Sequence, residues 1–185
     1  ARCERLNGQA DANLQQCFVN PINGNDGDAS GMDIKYSGLF ETGVGDFDLN
    51  ANVVIMDEYN SEAFFNGPMV DFVGLTSIPE MRYTVDVGHS LQAMPNLYMT
   101  LQYEYIDSIA DSYDSNYNAI GSVDEWTQVN LRAVYTVPGM ENVNLTAAVR
   151  NLTKEDPPLD SSSEYNRFLH NNLGMQVIVG FSIDL

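Results

Sequence analysis

Apolar and polar side chains alternate strictly along most of this chain, and a period of two residues fits only strands with one apolar face. In residues 46–55, Phe47, Leu49, Ala51, Val53 and Ile55 share one face, opposite Asp46, Asp48, Asn50 and Asn52. Residues 97–107 repeat the pattern, with Leu97, Met99, Leu101, Tyr103 and Tyr105 against Thr100, Gln102 and Glu104. Residues 127–137 set Val129, Leu131, Ala133, Tyr135 and Val137 against Gln128, Asn130 and Arg132. The pattern recurs in 81–91, 143–151 and 175–185, and more weakly in 32–42, where Met32, Ile34, Tyr36 and Phe40 share a face.

This predicts about seven strands, each matching the roughly 9–11 residues of a tilted transmembrane strand. The connections alternate in length. Residues 43–45, 92–96 and 139–142 are tight turns rich in Gly, Pro and Asn, whereas 57–80, 108–122 and 154–174 are long loops. Short turns at one end and long loops at the other are the pattern of an outer-membrane barrel. A soluble β-sandwich also gives each strand one apolar face. Its strands, however, are usually about five or six residues long. Tyr59, Tyr83, Tyr103, Tyr105 and Tyr135 fall on the apolar side towards strand ends, where a membrane barrel places its aromatic girdles. The charges at mid-strand suit a wet lumen or an open surface equally. The fold expected is all-β: a segment of an antiparallel up-and-down transmembrane β-barrel.

Eight Lys+Arg against 26 Asp+Glu give a formal charge of -18. That sign excludes a nucleic-acid binder and disfavours an anionic lipid surface. With 44% hydrophobic and 18% charged residues, the chain has apolar surface to bury and is not a disordered segment. No apolar stretch is long enough for a transmembrane helix, and no basic and apolar leader pattern is present. The opening Ala1-Arg2-Cys3 reads as the middle of a loop in a longer chain.

No enzyme is expected, and no cofactor. There is no nucleophile elbow, phosphate loop or His-Glu-x-x-His run. Of the two histidines, His89 sits on the apolar face of a strand near its turn and reads as an interface residue, and His170 lies in a loop and reads as structural. Asp26 and Asp28, and Asp107, Asp111 and Asp114, offer the oxygen ligands that calcium takes. Their spacing fits no EF-hand, so a solvated acidic surface is the preferred reading and no metal is assigned.

One run carries a family resemblance. Asn151-Leu152-Thr153-Lys154-Glu155-Asp156-Pro157-Pro158 resembles the Asn-Leu-Phe-Asp-Glu-Asp-Pro-Pro run before the last loop of TonB-dependent outer-membrane receptors. A loop ending at Gly174 and a final amphipathic strand follow, as in that family, and residues 43–49 and 123–131 are similar to the same region. Met175 stands where the family usually has Arg, and Leu185 where it usually has Phe.

The resemblance covers essentially the whole chain but only the C-terminal third of such a receptor. It implies a barrel of about 22 strands with a plugged lumen. The remaining N-terminal strands, a plug domain, a TonB energy-transducing partner acting on that plug, and outer-membrane lipid would be its partners. Residues 1–31 would form an extracellular loop and 32–185 the C-terminal strands, with the C-terminus periplasmic. Cys3 and Cys17 would then meet an oxidising compartment, where a disulfide is expected; free thiols or a zinc site are the alternatives.

The resemblance further implies import of a scarce small-molecule or oligosaccharide ligand, a glycan or a metal chelate. Tyr59, Phe64, Phe65, Phe72, Tyr113, Tyr117 and Tyr165 are the candidate ligand-facing loop residues. Arg82, Asp86, Glu104, Arg132 and Arg150 would face the lumen and plug. The alternative is a stand-alone barrel piece whose open edges, at 32–42 and 175–185, recruit copies of itself into an extracellular filament.

Overall fold

The computed structural model describes residues 2–4, 16–18, 26–64 and 66–184. Its elements are β1 (Arg2–Glu4), β2 (Gln16–Phe18), β3 (Gly27–Thr42), β4 (Gly45–Glu62), β5 (Met69–Asp71), β6 (Met81–Leu91), β7 (Leu97–Ile106), β8 (Ser112–Tyr113), β9 (Ala119–Ile120), β10 (Trp126–Thr136), β11 (Val143–Arg150) and β12 (Gln176–Ile183). No helix occurs among the described residues. The long strands form one antiparallel meander in the order β12-β11-β10-β7-β6-β4-β3, with β5 attached to the far end of β4. Among the described residues the sheet is open, with edges at β3 and β12. The tight turns β3–β4, β6–β7 and β10–β11 lie at one end and the long connections at the other.

Register fixes which side chains share a face, because paired residues of neighbouring antiparallel strands point the same way. One transverse row reads Phe40, Phe47, His89, Met99, Ala133, Ala147, Val179 across all seven long strands. A parallel row on the opposite face reads Ser37, Asn50, Asp86, Gln102, Asn130. The alternation in the sequence therefore becomes one apolar and one polar surface.

Among the described residues neither surface carries a second packed layer. The buried hydrophobic residues are Leu75, Ile109, Ala110, Val123 and Trp126, all at the long-loop end. On the apolar face Val177, Val179 and Phe181 are 67%, 78% and 74% exposed. Leaving a Val, Leu or Phe side chain in water forgoes about 1.5–3 kcal/mol each, so this face needs a cover that is not part of the described chain.

The strands run further than the alternation suggests. β3 begins at Gly27, five positions before Met32, and β4 continues through Asp57 to Glu62. The loop expected over 57–80 is therefore strand at its start and carries β5 in its middle. The cause is a β-bulge: Gly31 pairs with Met56 but Ser30 pairs with Glu58, leaving Asp57 as the extra residue. A Cβ on Gly31 would lie 2.3 Å from the Ile55 carbonyl oxygen, so the bulge requires glycine there. Beyond the bulge parity reverses. Tyr59 pairs with Ala29 on the polar side, which corrects its expected places in the apolar girdle and in a loop. Asp28, Glu58 and Asn60 replace the apolar residues on the outward side, with Asn60 Nδ2 donating to Asp28 Oδ2 at 3.2 Å. That charged cluster marks where the apolar belt ends.

At the opposite end Gly45 closes the β3–β4 turn with φ +136°, and a Cβ there would lie 2.0 Å from the Ser90 carbonyl oxygen. Gly45→Ala should cost about 1–3 kcal/mol, because both the dihedral and the approach of β6 exclude a side chain. Urea titration of the detergent-folded protein followed by tryptophan emission would measure it; an unchanged midpoint would count against this turn geometry.

Candidate functional site

The two faces differ in chemistry as well as polarity. On the apolar face the belt runs from Met32 to Phe40, Phe47 to Ile55, Met81 to Leu91 and onward through Val177 to Ile183, without one Asp, Glu, Lys or Arg at its alternate positions. His89 is its one titratable group besides tyrosine. It stacks on Phe47 with ring centroids 4.0 Å apart, beside the short turns. Towards the loop end Tyr83 stacks against Tyr105 at 4.8 Å and Tyr103 at 6.0 Å, and Tyr135 lies at the turn end, so aromatics border the belt at both ends. The expectation placed Tyr83, Tyr103, Tyr105 and Tyr135 there, and only Tyr59 departs.

The polar face holds a connected hydrogen-bond network. Gln102 Nε2 donates to Asp86 Oδ1 at 2.8 Å. Asn130 Nδ2 donates to Gln102 Oε1 at 3.0 Å and to Glu104 Oε1 at 2.9 Å. Its own Oδ1 accepts from Gln128 Nε2 at 2.7 Å and from the Asn151 backbone N–H at 2.9 Å. Nearer the turns Tyr98 reaches across Gly88 to donate to Asp48 Oδ2 at 2.5 Å, and a Cβ on Gly88 would meet both groups at 2.1 Å. Register brings the candidate residues Arg82, Asp86, Glu104, Arg132 and Arg150 to this same face. Asp86 and Glu104 belong to the network, while the three arginines stand apart from it. Gln102, Gln128 and Asn130, its hub, were absent from the sequence-level candidates, because uncharged carboxamides carry no signal until register places them in one row.

Above this face three long loops form a cap with its own small core. Ile109 and Val123 bridge within the β7–β10 loop, and Ala110 N–H donates to the Gly74 carbonyl at 2.7 Å. The β11–β12 loop reaches back over the sheet. Asn166 Nδ2 donates to the Thr76 carbonyl at 2.6 Å, and Ser161 N–H to Asp111 Oδ1 at 3.0 Å. Asn151 starts that loop in the left-handed region, with φ 52°, while 3% exposed. Its amide donates to the Glu155 carbonyl and accepts from the Glu155 N–H, both at 2.9 Å. The run 151–158 thus has a local mechanical role: asparagine tolerates the left-handed backbone and staples the chain four residues on. Leu152, Glu155 and Asp156 are exposed there, and Pro157 and Pro158 are half-buried.

The candidate loop residues divide. Phe72 meets Tyr117 edge-on at 6.3 Å and Tyr113 lies 5.3 Å from Tyr117, so these three join the β5–β6 and β7–β10 loops. Tyr165 lies apart, lining a depression of about 260 Å³ with Thr76, Asp111, Asp160 and Asn166. Phe64 is 59% exposed, and Phe65 lies outside the described residues. Of Cys3 and Cys17, the backbone register makes the two positions direct partners.

The acidic loop residues are engaged separately. Asp107 Oδ1 accepts from Tyr105 Oη at 3.2 Å and the Ser108 N–H at 2.8 Å, and Asp111 holds Ser161. Asp114 accepts from the Asn116 N–H, the Asn118 N–H and Asn118 Nδ2, which together hold its carboxyl below the usual range. Asp26 ends a backbone pair with Glu62, and Asp28 bonds Asn60. Among the described residues no group of three or more His, Cys, Asp or Glu could hold a metal ion.

No protein-family model and no curated protein sequence matches the chain. Among solved structures it is similar to the FrpB iron transporter from Neisseria meningitidis (F3-3 variant), with a TM-score of 0.60 and 15% identity over 88% of this chain. The chain spans 24% of that transporter's length. At this identity the likeness is one of fold: the sheet has the architecture of part of a β-barrel.

Trp126, the single tryptophan, meets His170 edge-on at 5.6 Å; both are buried, and among the described residues neither Trp126 Nε1 nor His170 Nδ1 has a hydrogen-bond partner. Burial pushes the imidazole below its ordinary 6.5, partly countered by a hydrogen bond to the Asn166 backbone. A depressed histidine pKa means that the unfolded loop binds the proton more tightly. Loop packing is therefore complete above pH 6.5 and weakens as pH falls below it. Trp126 emission should drop on acidification below that value, with the change abolished in His170→Gln. An identical titration in the variant would overturn the assignment.

Proposed function

We propose that this chain forms the C-terminal part of the wall of a TonB-dependent outer-membrane transporter, which imports a scarce ligand, a metal chelate or a glycan. The observation that carries the reading is the uncharged apolar face, continuous over seven strands and uncovered, set back to back with a hydrogen-bonded polar face. Lipid covers the first; a domain filling the lumen meets the second. The cap loops are extracellular and the tight turns periplasmic. Arg82, Asp86, Glu104, Arg132 and Arg150 line the interior, and Phe72, Tyr113 and Tyr117 belong to the ligand-facing cap. The barrel wall is passive; the TonB partner supplies energy through the plug. The similarity to an iron transporter supports the chelate side of this reading, and the aromatic cap the glycan side.

Adjacent positions test the two faces. Leu101→Arg, facing lipid, should cost about 2–4 kcal/mol near the bilayer midplane, while Gln102→Arg, facing the lumen, should cost far less. Urea midpoints of both variants refolded into lipid vesicles would show the contrast. Equal losses, or assembly of the chain into filaments without lipid, would favour the self-assembling alternative. Ligand accumulation in cells should also require the TonB partner.

Cys3 and Cys17 form a disulfide in this reading. Directly opposed residues of an antiparallel pair lie within the Cα separation a disulfide needs. Closing that loop stabilises by about 3 kcal/mol in the chain-entropy picture. Alkylation without reduction should leave both cysteines unlabelled; labelling of both would refute it.

A further inference from the structure

The cations of this acidic chain are placed unevenly. Lys35, Arg82, Arg132 and Arg150 all sit at polar-face positions of the sheet, and Arg167 stands over that face on the β11–β12 loop. Arg132, Arg150 and Arg167 are exposed, and among the described residues none has a hydrogen-bond or ion-pair partner. They border two adjoining depressions. One, of about 390 Å³ under the loop, is lined by Gln102, Glu104, Gln128, Asn130 and Arg150 below, and by Arg167 above. The other, of about 450 Å³, is shared by Arg150 and Arg132 with Thr100 and Thr146. Arg150 belongs to both.

We infer that the cavity beneath the β11–β12 loop is a binding subsite for an organic carboxylate, clamped between Arg150 on the sheet and Arg167 on the loop. This rests on the transporter reading and adds the chemical class of its ligand. A guanidinium presents paired N–H donors that match a carboxylate bidentately, and here two unengaged forks border one hollow. The surrounding carboxamides already bond one another, yet Gln102, Gln128 and Asn130 keep lone pairs and N–H groups for ligand hydroxyls. Glu104 attracts Arg150 across the cavity, but it accepts its hydrogen bond from Asn130 and leaves the guanidinium fork open. Glu104 repels negative charge at its own wall, so the ligand's carboxylate sits towards the arginines and its hydroxyls towards Glu104. The ligand that fits therefore carries a carboxylate on a hydroxylated frame, whether a hydroxycarboxylate chelator or an acidic sugar. The net charge of -18 repels anions in general, so binding here has to come from these local contacts rather than from steering.

The test uses the transporter chain purified from outer membranes in detergent, titrated calorimetrically at low salt with citrate, galacturonate, galactose and inorganic phosphate. Citrate or galacturonate should bind more tightly than galactose or phosphate, and which of the two binds identifies the source. Arg150→Gln with Arg167→Gln should weaken that binding at least tenfold, with the folded, heat-modifiable band retained. Arg→Lys at both positions should recover only part, since an ammonium lacks the fork. Absence of carboxylate binding, equal binding of phosphate, or unchanged affinity in the double Gln variant would each overturn the subsite. The transporter reading fails separately, if the chain does not fractionate with the outer membrane.

Discussion

A sheet that, among the described residues, has no second layer packed along its strands sets the terms for everything else in this molecule. A soluble domain of this length buries an apolar layer between two elements. Here the long strands contribute almost nothing to a core, and among the described residues the buried hydrophobic side chains gather at the loop end. Folding cannot be driven by packing the sheet on itself. It is driven by the strand ladder and by whatever removes the apolar face from water. A bilayer would do this without any further protein layer, and it demands what the strands show: backbone groups paired along the ladder and no formal charge on the apolar side. A filament would cover the same face with copies of itself, but would leave the inward network of Asp86, Gln102, Asn130 and Glu104 without a reason to be so fully satisfied.

Division of labour along the strands follows from that constraint. The middle is plain alternation, with apolar side chains outward and carboxamides and charges inward. The ends are where geometry is adjusted. The bulge at Asp57 turns β3 and β4 from an apolar to a charged outward surface within two residues, and Gly31 and Gly45 admit the close backbone approaches that this and the tight turn need. Above the belt, Asp114 and Asp160 each gather local donors and fix short turns, so the loops are built from polar contacts where the sheet is built from register. Asn151 joins the two regimes, bonding the sheet through Asn130 and the loop through Glu155.

The fold was legible because period two survives translation from sequence to sheet: Leu49, Val87, Leu101 and Leu131 share a face in the strings and in the register alike. What failed was local. Alternation carried straight through 55–59 puts Tyr59 outward, since nothing in that string announces an extra residue; only the pairing of Gly31 and Ser30 with Met56 and Glu58 reveals it. The inward network was half legible. Charges at Asp86 and Glu104 stood out, but their partners are amides, which look the same in a string whether solvated or bonded. The cap was least legible. Asn166 meets Thr76 across 90 positions, and no local pattern encodes such a contact.

Charges of both signs are interleaved along the polar face. Asp48, bonded to Tyr98, lies towards the tight turns, and the bonded carboxylates Asp86 and Glu104 lie further up the same face. The unengaged arginines climb from Arg132 through Arg150 to Arg167, towards the loops. Register sets Arg132 in the row of Asp48, Gly88 and Thr100, and Glu104 nearer the loops than Gln102 and Asp86. A carboxylate entering from the loop end would therefore meet Arg167 first and then guanidinium and carboxylate groups side by side. In the proposed transporter reading, onward movement from the subsite would require work done by the energised partner.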